Sequence, residues 1–184
     1  MTKRRADFAH NREAIMEAAH EVFAEKGVNA PLDAIAQKAG VGRATFFRHF
    51  SDRRELIDAL LDREITRLEG IARETPLTDE SLFVLTEIFF ADMIRYAVIA
   101  DYLRAQDSDD EKLALGIDRL HAIFRPSFDL ALKAGLVRED LRVGDIVIFA
   151  VMLSAAATTP HIGPEGMKRA YSIVFEGIRP QAGT

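Results

Sequence analysis

The sequence predicts an all-α fold, a head of three helices followed by a connector helix and a helical body of five or six more. Three observations point there. Apolar residues recur at i, i+3, i+4 and i+7 through most of the chain, the spacing of a helix buried on one face. β-Branched runs flanked by turn residues are scarce, and Gly or Pro closes most of the periodic stretches. Twelve Phe against three Tyr and no Trp supply an apolar interior. With no Cys, the 184-residue chain has neither disulfides nor a thiolate zinc site.

The first helix is expected from about Phe8 to Lys26, with Ile15, Ala18, Ala19, Val22 and Phe23 inside and Gly27 at its end. Glu13, Glu17, Glu21 and Glu25 stand four apart on its outer face, where four like charges read as a solvated surface. Pro31 suits the first turn of a second helix, because its missing donor costs nothing there. Leu32, Ile35, Ala36 and Ala39 give that helix its buried side. Gly40 then lets the chain leave the right-handed region, and Val41 fills the corner. A third helix opens at Arg43 with Phe46 and Phe50 inward, which turns Arg43, Ala44, Phe47 and Arg48 outward. Two short helices joined by Ala39-Gly40-Val41-Gly42, the second with an exposed arginine-bearing face, are how a helix-turn-helix DNA reader is written.

Ser51-Asp52 caps a connector helix from Arg53 to about Arg73, with Leu56, Ile57, Leu60 and Leu61 as its early stripe. Thr78-Asp79-Glu80 opens a long apolar helix that should run through about Ala105. The acidic run Asp107 to Glu111 reads as a loop. A helix from about Lys112 to Ala134 follows, with a step at Pro126 and a stop at Gly135. A short arm, Leu136 to Val143, leads to an apolar helix from Gly144 to about Thr158. Pro160, Gly163 and Pro164 break the chain before a last helix from Glu165 to Ile178. The most apolar stretch, Ile146 to Ala157, has twelve residues, too few to cross a bilayer. The N-terminus lacks the apolar core of a signal peptide, which predicts a cytoplasmic protein.

Charge is polarised. Residues 1–54 carry ten Lys and Arg against seven Asp and Glu, a net of +3, whereas 55–184 carry fourteen against twenty-two, a net of −8. Such a chain approaches a polyanion head first, with affinity that falls as salt rises. Arg43 and Arg48 are candidates for guanine edges or phosphates, and Thr45 for a phosphate or a base near the start of the recognition helix, beside the exposed Ala44. Lys38, Arg53 and Arg54 are placed on the DNA backbone. Lys3, Arg4 and Arg5 form a basic arm able to reach a groove. His49 has two readings: a phosphate contact, or a histidine that braces the following turn.

The head resembles that of the TetR/AcrR family of transcriptional regulators. The residues that carry the resemblance are Ile15, Ala18-Ala19, Phe23, Gly27, Ile35-Ala36, Ala39-Gly40-Val41, Thr45, Phe47, His49-Phe50, Arg53 and Leu56. In the body, Ala134 to Leu141 and Phe175 to Pro180 resemble segments of many members. The resemblance implies a DNA-binding domain over 8–67, with its helix-turn-helix at about 31–50, and an effector-binding and dimerisation domain over 76–180. It implies a homodimer joined through the last two long helices, a small-molecule pocket in each body, and a repressor released from a near-palindromic operator by its effector. Four positions depart from the family pattern. Ala30 stands where Thr or Ser often caps the second helix, and Gly42 where Ser is frequent. Phe47 replaces a Tyr whose hydroxyl reaches phosphate, leaving an apolar contact with a thymine methyl. Asp33 replaces a frequent basic residue; it would meet phosphate badly but can accept from a cytosine amino group.

Within the body, Phe89, Met93, Tyr96, Phe124, Phe128 and Met152 are candidates to line a pocket for a hydrophobic effector, beside Phe83, Phe90 and Phe149. His121, near Asp118 and Arg125 on its helix, is a candidate polar contact. No cofactor and no metal site is expected. Nucleophile-elbow, phosphate-loop and zinc-protease spacings do not occur, and Gly40-Val41-Gly42 follows a helix where a dinucleotide fingerprint needs a strand. The chain is therefore not expected to be an enzyme. The alternative reading is a dimeric helical adaptor that binds an effector or a protein and whose head has weakened DNA affinity through Ala30, Asp33 and Phe47.

Overall fold

The computed structural model describes residues 2–105 and 110–180, with side chains from residue 6 onward. Among the described residues there are nine helices and no strand. The chain divides into two units, Met1–Arg63 and Glu64–Thr184.

In the first unit α1 (Thr2–Lys26) packs on α2 (Leu32–Lys38), α2 on α3 (Arg43–His49), and α4 (Arg53–Glu74) begins. Ile15, Ala19, Phe23, Ile35, Phe46, Phe50, Leu56 and Ile57 are all at most 1% exposed, so the predicted inner stripes do meet in one core. Gly40 takes φ +68°, where a Cβ would be strained, and Val41 N–H donates back to the Ala36 carbonyl at 3.0 Å, closing the turn. The backbone of α1 begins at Thr2, earlier than expected, and the side chains of Lys3, Arg4 and Arg5 lie outside the described residues. Pro31 stands one place ahead of its expected position. At φ −57° and ψ 135° it is the N-cap of α2 and contributes no side-chain bond. Asp52 and Glu55 cap α4: Asp52 Oδ1 accepts from Glu55 N–H at 2.8 Å, and Glu55 Oε2 accepts from Ser51 N–H at 2.7 Å. The backbone hydrogen bond from Ser51 holds the Glu55 carboxyl below its ordinary pKa.

The acidic face of α1 stays exposed, yet it is bridged rather than merely solvated. Arg63 lies 2.9 Å from Glu13 and 3.5 Å from Glu17, while Lys38 lies 2.6 Å from Glu21 and 3.3 Å from Glu25. The repulsion expected along one helix is thus offset by cations that α2 and α4 bring to it.

In the second unit α8 (Val143–Thr158) is the central helix. Around it pack α5 (Ser81–Arg95), α6 (Ala97–Arg104), α7 (Glu111–Lys133) and α9 (Pro164–Ile178). Ile146, Ala150 and Leu153 of α8 are buried with Phe89, Phe90, Phe124 and Phe128. The long helix expected through Ala105 is instead two. Tyr96, at φ −100° and ψ 20°, leaves the helical region, so α6 sets off in a new direction and packs on α8 as α5 does. No Gly or Pro marks the break. The Tyr96 hydroxyl donates to Glu64 Oε1 of α4 at 2.9 Å, which anchors the corner. Pro126, by contrast, sits inside a continuous α7. Asp110 caps α7 by accepting from Lys112 and Leu113 N–H, and Glu111 is already its first residue; positions 107–109 of the expected acidic loop lie outside the described residues. No helix among the described residues is long and apolar enough to cross a membrane.

Candidate nucleic-acid interface

The outward side of α3 has the predicted composition: Arg43, Ala44, Phe47 and Arg48 are exposed, Thr45 is half-buried, and Phe46 is fully buried. Phe46 supports Phe47 from beneath, edge to face at 5.3 Å between centroids. The Arg43 guanidinium lies 5.5 Å from the Phe47 ring centre, and its Nη1 donates to Asp33 Oδ2 on α2 at 2.9 Å. Arg48 is exposed and, among the described residues, forms no ion pair.

The cations assigned to the DNA backbone are placed differently. Arg53 turns inward and donates to the Val28 carbonyl and, at 2.8 Å, to the Ala30 carbonyl, with its guanidinium 5.8 Å from the Phe23 ring centre. It thereby satisfies the loop between α1 and α2, the place where Ala30 offers no side-chain cap. Arg54 pairs with Asp58 one turn on, at 2.6 Å. Lys38 is held by Glu21 and Glu25, whose hydrogen bonds raise its pKa. Arg12 was not predicted. Its Nη1 donates to the His49 carbonyl at the end of α3 at 3.2 Å, and its guanidinium lies 4.3 Å over the Phe50 ring. The signal was present, since Arg12 stands at i−3 and i−7 from Ile15 and Ala19, on the inner stripe of α1.

His49 is 4% exposed, against Phe8 at 4.0 Å between ring centroids. Neither ring nitrogen has a hydrogen-bond partner among the described residues. This placement favours bracing over phosphate contact. Burial pushes its pKa below the ordinary imidazole value of 6.5, and the Arg48 and Arg12 charges push in the same direction. The folded head therefore prefers neutral His49. The unfolded chain takes up a proton first as pH falls through 6.5, so the head loses stability on acidification, by at most about 1.4 kcal/mol per pH unit. Thermal unfolding at pH 7.5 and 5.5 should show a larger acid-induced loss for wild type than for His49→Phe; equal losses would remove His49 as the cause.

In the body, Phe89, Phe124 and Phe128 are buried and Met93, Tyr96 and His121 are half-buried, whereas Met152 is 55% exposed on α8. A surface hollow of about 320 Å³ is lined by Gly135, Val137, Arg138, Glu139, Asp140 and Pro180, none of them an expected effector residue. Tyr96 and Asp92 are tied to the second half of α4, through Glu64 and Arg67 respectively.

Residues 15–60 match the model of the N-terminal domain of bacterial regulatory proteins of the tetR family. The HTH-type transcriptional repressor BepR of Brucella suis is 31% identical over 156 residues, covering 79% of this chain and 73% of that protein. The chain belongs to the TetR family. This TetR-family chain also resembles, along nearly its whole length, a crystal structure of the TetR transcriptional regulator SCO0520 from Streptomyces coelicolor. That likeness has a TM-score of 0.63 at 30% identity and covers 93% of this chain and 99% of the other. A TetR regulatory protein from Mycobacterium vanbaalenii matches with a TM-score of 0.59 at 29% identity, covering 95% and 98%. The protein is thus a helix-turn-helix transcriptional regulator of this family.

Proposed function

We propose that the protein is a cytoplasmic homodimeric repressor that binds a near-palindromic operator and leaves it when a small hydrophobic effector enters the body. The observation that carries the DNA reading is the exposed set Arg43, Ala44, Phe47 and Arg48 on a helix whose opposite side is buried. In a symmetric dimer the two α3 helices enter successive major grooves about 34 to 36 Å apart or at a multiple of that distance. Arg43 and Arg48 supply donors to guanine edges or phosphates, Thr45 lies near the backbone, and Phe47 meets a thymine methyl. Arg53 is bonded to backbone carbonyls within the head and Arg54 to Asp58, while Lys38 shares its charge with Glu21 and Glu25 on the surface, which lowers the attraction to phosphate below what the charge count alone suggests.

The dimer reading is supported by Ile148 and Met152 on α8 and Ile173 on α9, each more than half exposed. Apolar side chains of that size on the last two helices suit a face that a second copy covers. This reading moves Met152 from the effector to the interface. Phe89, Met93, Tyr96, Phe124 and Phe128 remain the effector candidates, with His121 as the polar one. Release is assigned to α4. Its second half is bonded to Tyr96 and Asp92 at the α5–α6 corner and its first half follows α3 directly, so a ligand that displaces the corner pulls on a helix continuous with the reading head. Coupling of this kind is typically about 1–3 kcal/mol, or roughly 5- to 150-fold in operator affinity.

Selection of genome fragments with purified protein, followed by gel-shift salt titrations, tests the reading. One palindromic site should be enriched, with an affinity that falls with salt. Arg43→Ala and Arg48→Ala should each weaken it by about 1–3 kcal/mol. If no fragment is enriched at low salt, the repressor reading fails and the adaptor reading takes its place.

A further inference from the structure

The ion pair between Asp33 and Arg43 joins the two helices of the reading motif on its exposed side, and an acidic residue there needs a reason. On a surface that approaches phosphates a carboxylate repels the partner, and by pairing with Arg43 it also withdraws part of that cation from counterion release. Non-specific attraction is therefore not what the pair provides. What it provides is direction. The guanidinium is bonded to Asp33 Oδ2 at 2.9 Å and lies 5.5 Å from the Phe47 ring centre, two contacts that restrict the freedom of an exposed arginine.

We infer that Asp33 and Arg43 act together as a reader of one G·C base pair in each half-site, an inference that rests on the DNA-binding reading above. Only one of the five guanidinium N–H donors is required by Asp33, which leaves a fork able to donate twice. Beside that fork the carboxylate keeps lone pairs to accept. The pair thus displays donor, donor, acceptor in a row. Across the major groove a G·C pair displays N7 acceptor, O6 acceptor and N4 amino donor, the complementary order. An A·T pair displays acceptor, donor, acceptor. It would set a donor against the guanidinium and an acceptor against the carboxylate, so it is rejected at both places. Asp33 is then a positioning and specificity residue: it orients Arg43 and accepts from the cytosine.

The test varies each base pair of one operator half-site in turn. Binding is measured, against random-sequence DNA, for full-length wild type, Asp33→Ala, Arg43→Ala and the double variant. Both side chains are more than half exposed, and retained helicity of each variant is checked by circular dichroism. Wild type should penalise loss of one particular G·C pair by roughly 5- to 150-fold. Asp33→Ala, which removes the acceptor as well as the charge, should lose most of that penalty at that pair alone and bind random DNA more tightly, with a salt slope steeper by about one phosphate contact. Arg43→Ala should lose the same penalty, and the double variant no more than either single, as expected of a coupled pair. If Asp33→Ala keeps every wild-type penalty within about two-fold, the pair does not read a base and the inference falls while DNA binding stands. If wild type itself prefers no fragment, the DNA-binding reading fails and takes the inference with it.

Discussion

Ile148→Glu is expected to yield a folded monomer that no longer shifts operator DNA. Ile148 is 56% exposed and stands one turn from Met152, at 55%, on α8, with Ile173 of α9 at 58%. Burying a side chain of this kind contributes about 1.5–3 kcal/mol, and in a two-fold interface every contribution is made twice. A glutamate placed there enters the interface as two uncompensated carboxylates, each costing several kcal/mol to desolvate. The monomer itself should be little affected, because the replaced side chain faces outward. Each half-site is bound weakly by itself, and joining two heads makes the second contact intramolecular, which is worth about 10²- to 10⁴-fold in affinity. Sedimentation at micromolar concentration should therefore give the monomer mass with unchanged helicity, together with at least a hundredfold loss in operator binding. A variant that stays dimeric and binds normally would place the interface elsewhere.

The second large effect concerns Arg53, which by sequence looked like a backbone ligand for DNA. Its guanidinium donates to the carbonyls of Val28 and Ala30 and lies close to Phe23. Hydrogen bonds to a charged group contribute about 1.5–3 kcal/mol, and truncating the donor strands the acceptors. Arg53→Ala is expected to destabilise the head by about 2 kcal/mol or more, and amide exchange in α2 and α3 should quicken by roughly thirty-fold. The salt slope of DNA binding should stay as it is, since no phosphate contact is removed. Unchanged exchange with a slope shallower by about one contact would instead return Arg53 to the DNA backbone.

These two residues mark where sequence reading ends. Ile148 lies within an apolar run whose helix was legible from periodicity and length, but a uniformly apolar helix does not say which of its sides a neighbour covers. The packing of α5, α6, α7 and α9 around α8 made that choice. The same packing broke the expected long helix at Tyr96, where no residue with a backbone preference announced a corner. Arg53 is legible from sequence as a cation at the start of α4, but not as one bonded within the head. Its acceptors lie 23 and 25 residues away, and no local pattern names them. The ion pairs of Lys38 are hidden from sequence for the same reason, because the carboxylates that hold it stand on α1. Arg12 was overlooked although its place on the inner stripe was visible.

By itself the sequence determined what local physics controls. Apolar spacing set the helices of the head and their buried sides, Gly40 at positive φ set the turn between α2 and α3, and the order of Phe46, Phe47 and Phe50 decided which face of α3 looks outward. Those choices depend on steric limits and burial within a few residues of chain. Tertiary structure alone decided which charges are spent and which remain. Long cationic side chains take whichever carboxylate or carbonyl the fold brings within reach, so Arg53 braces a loop, Lys38 pairs with α1 and Arg43 with Asp33, while Arg48 forms no ion pair among the described residues.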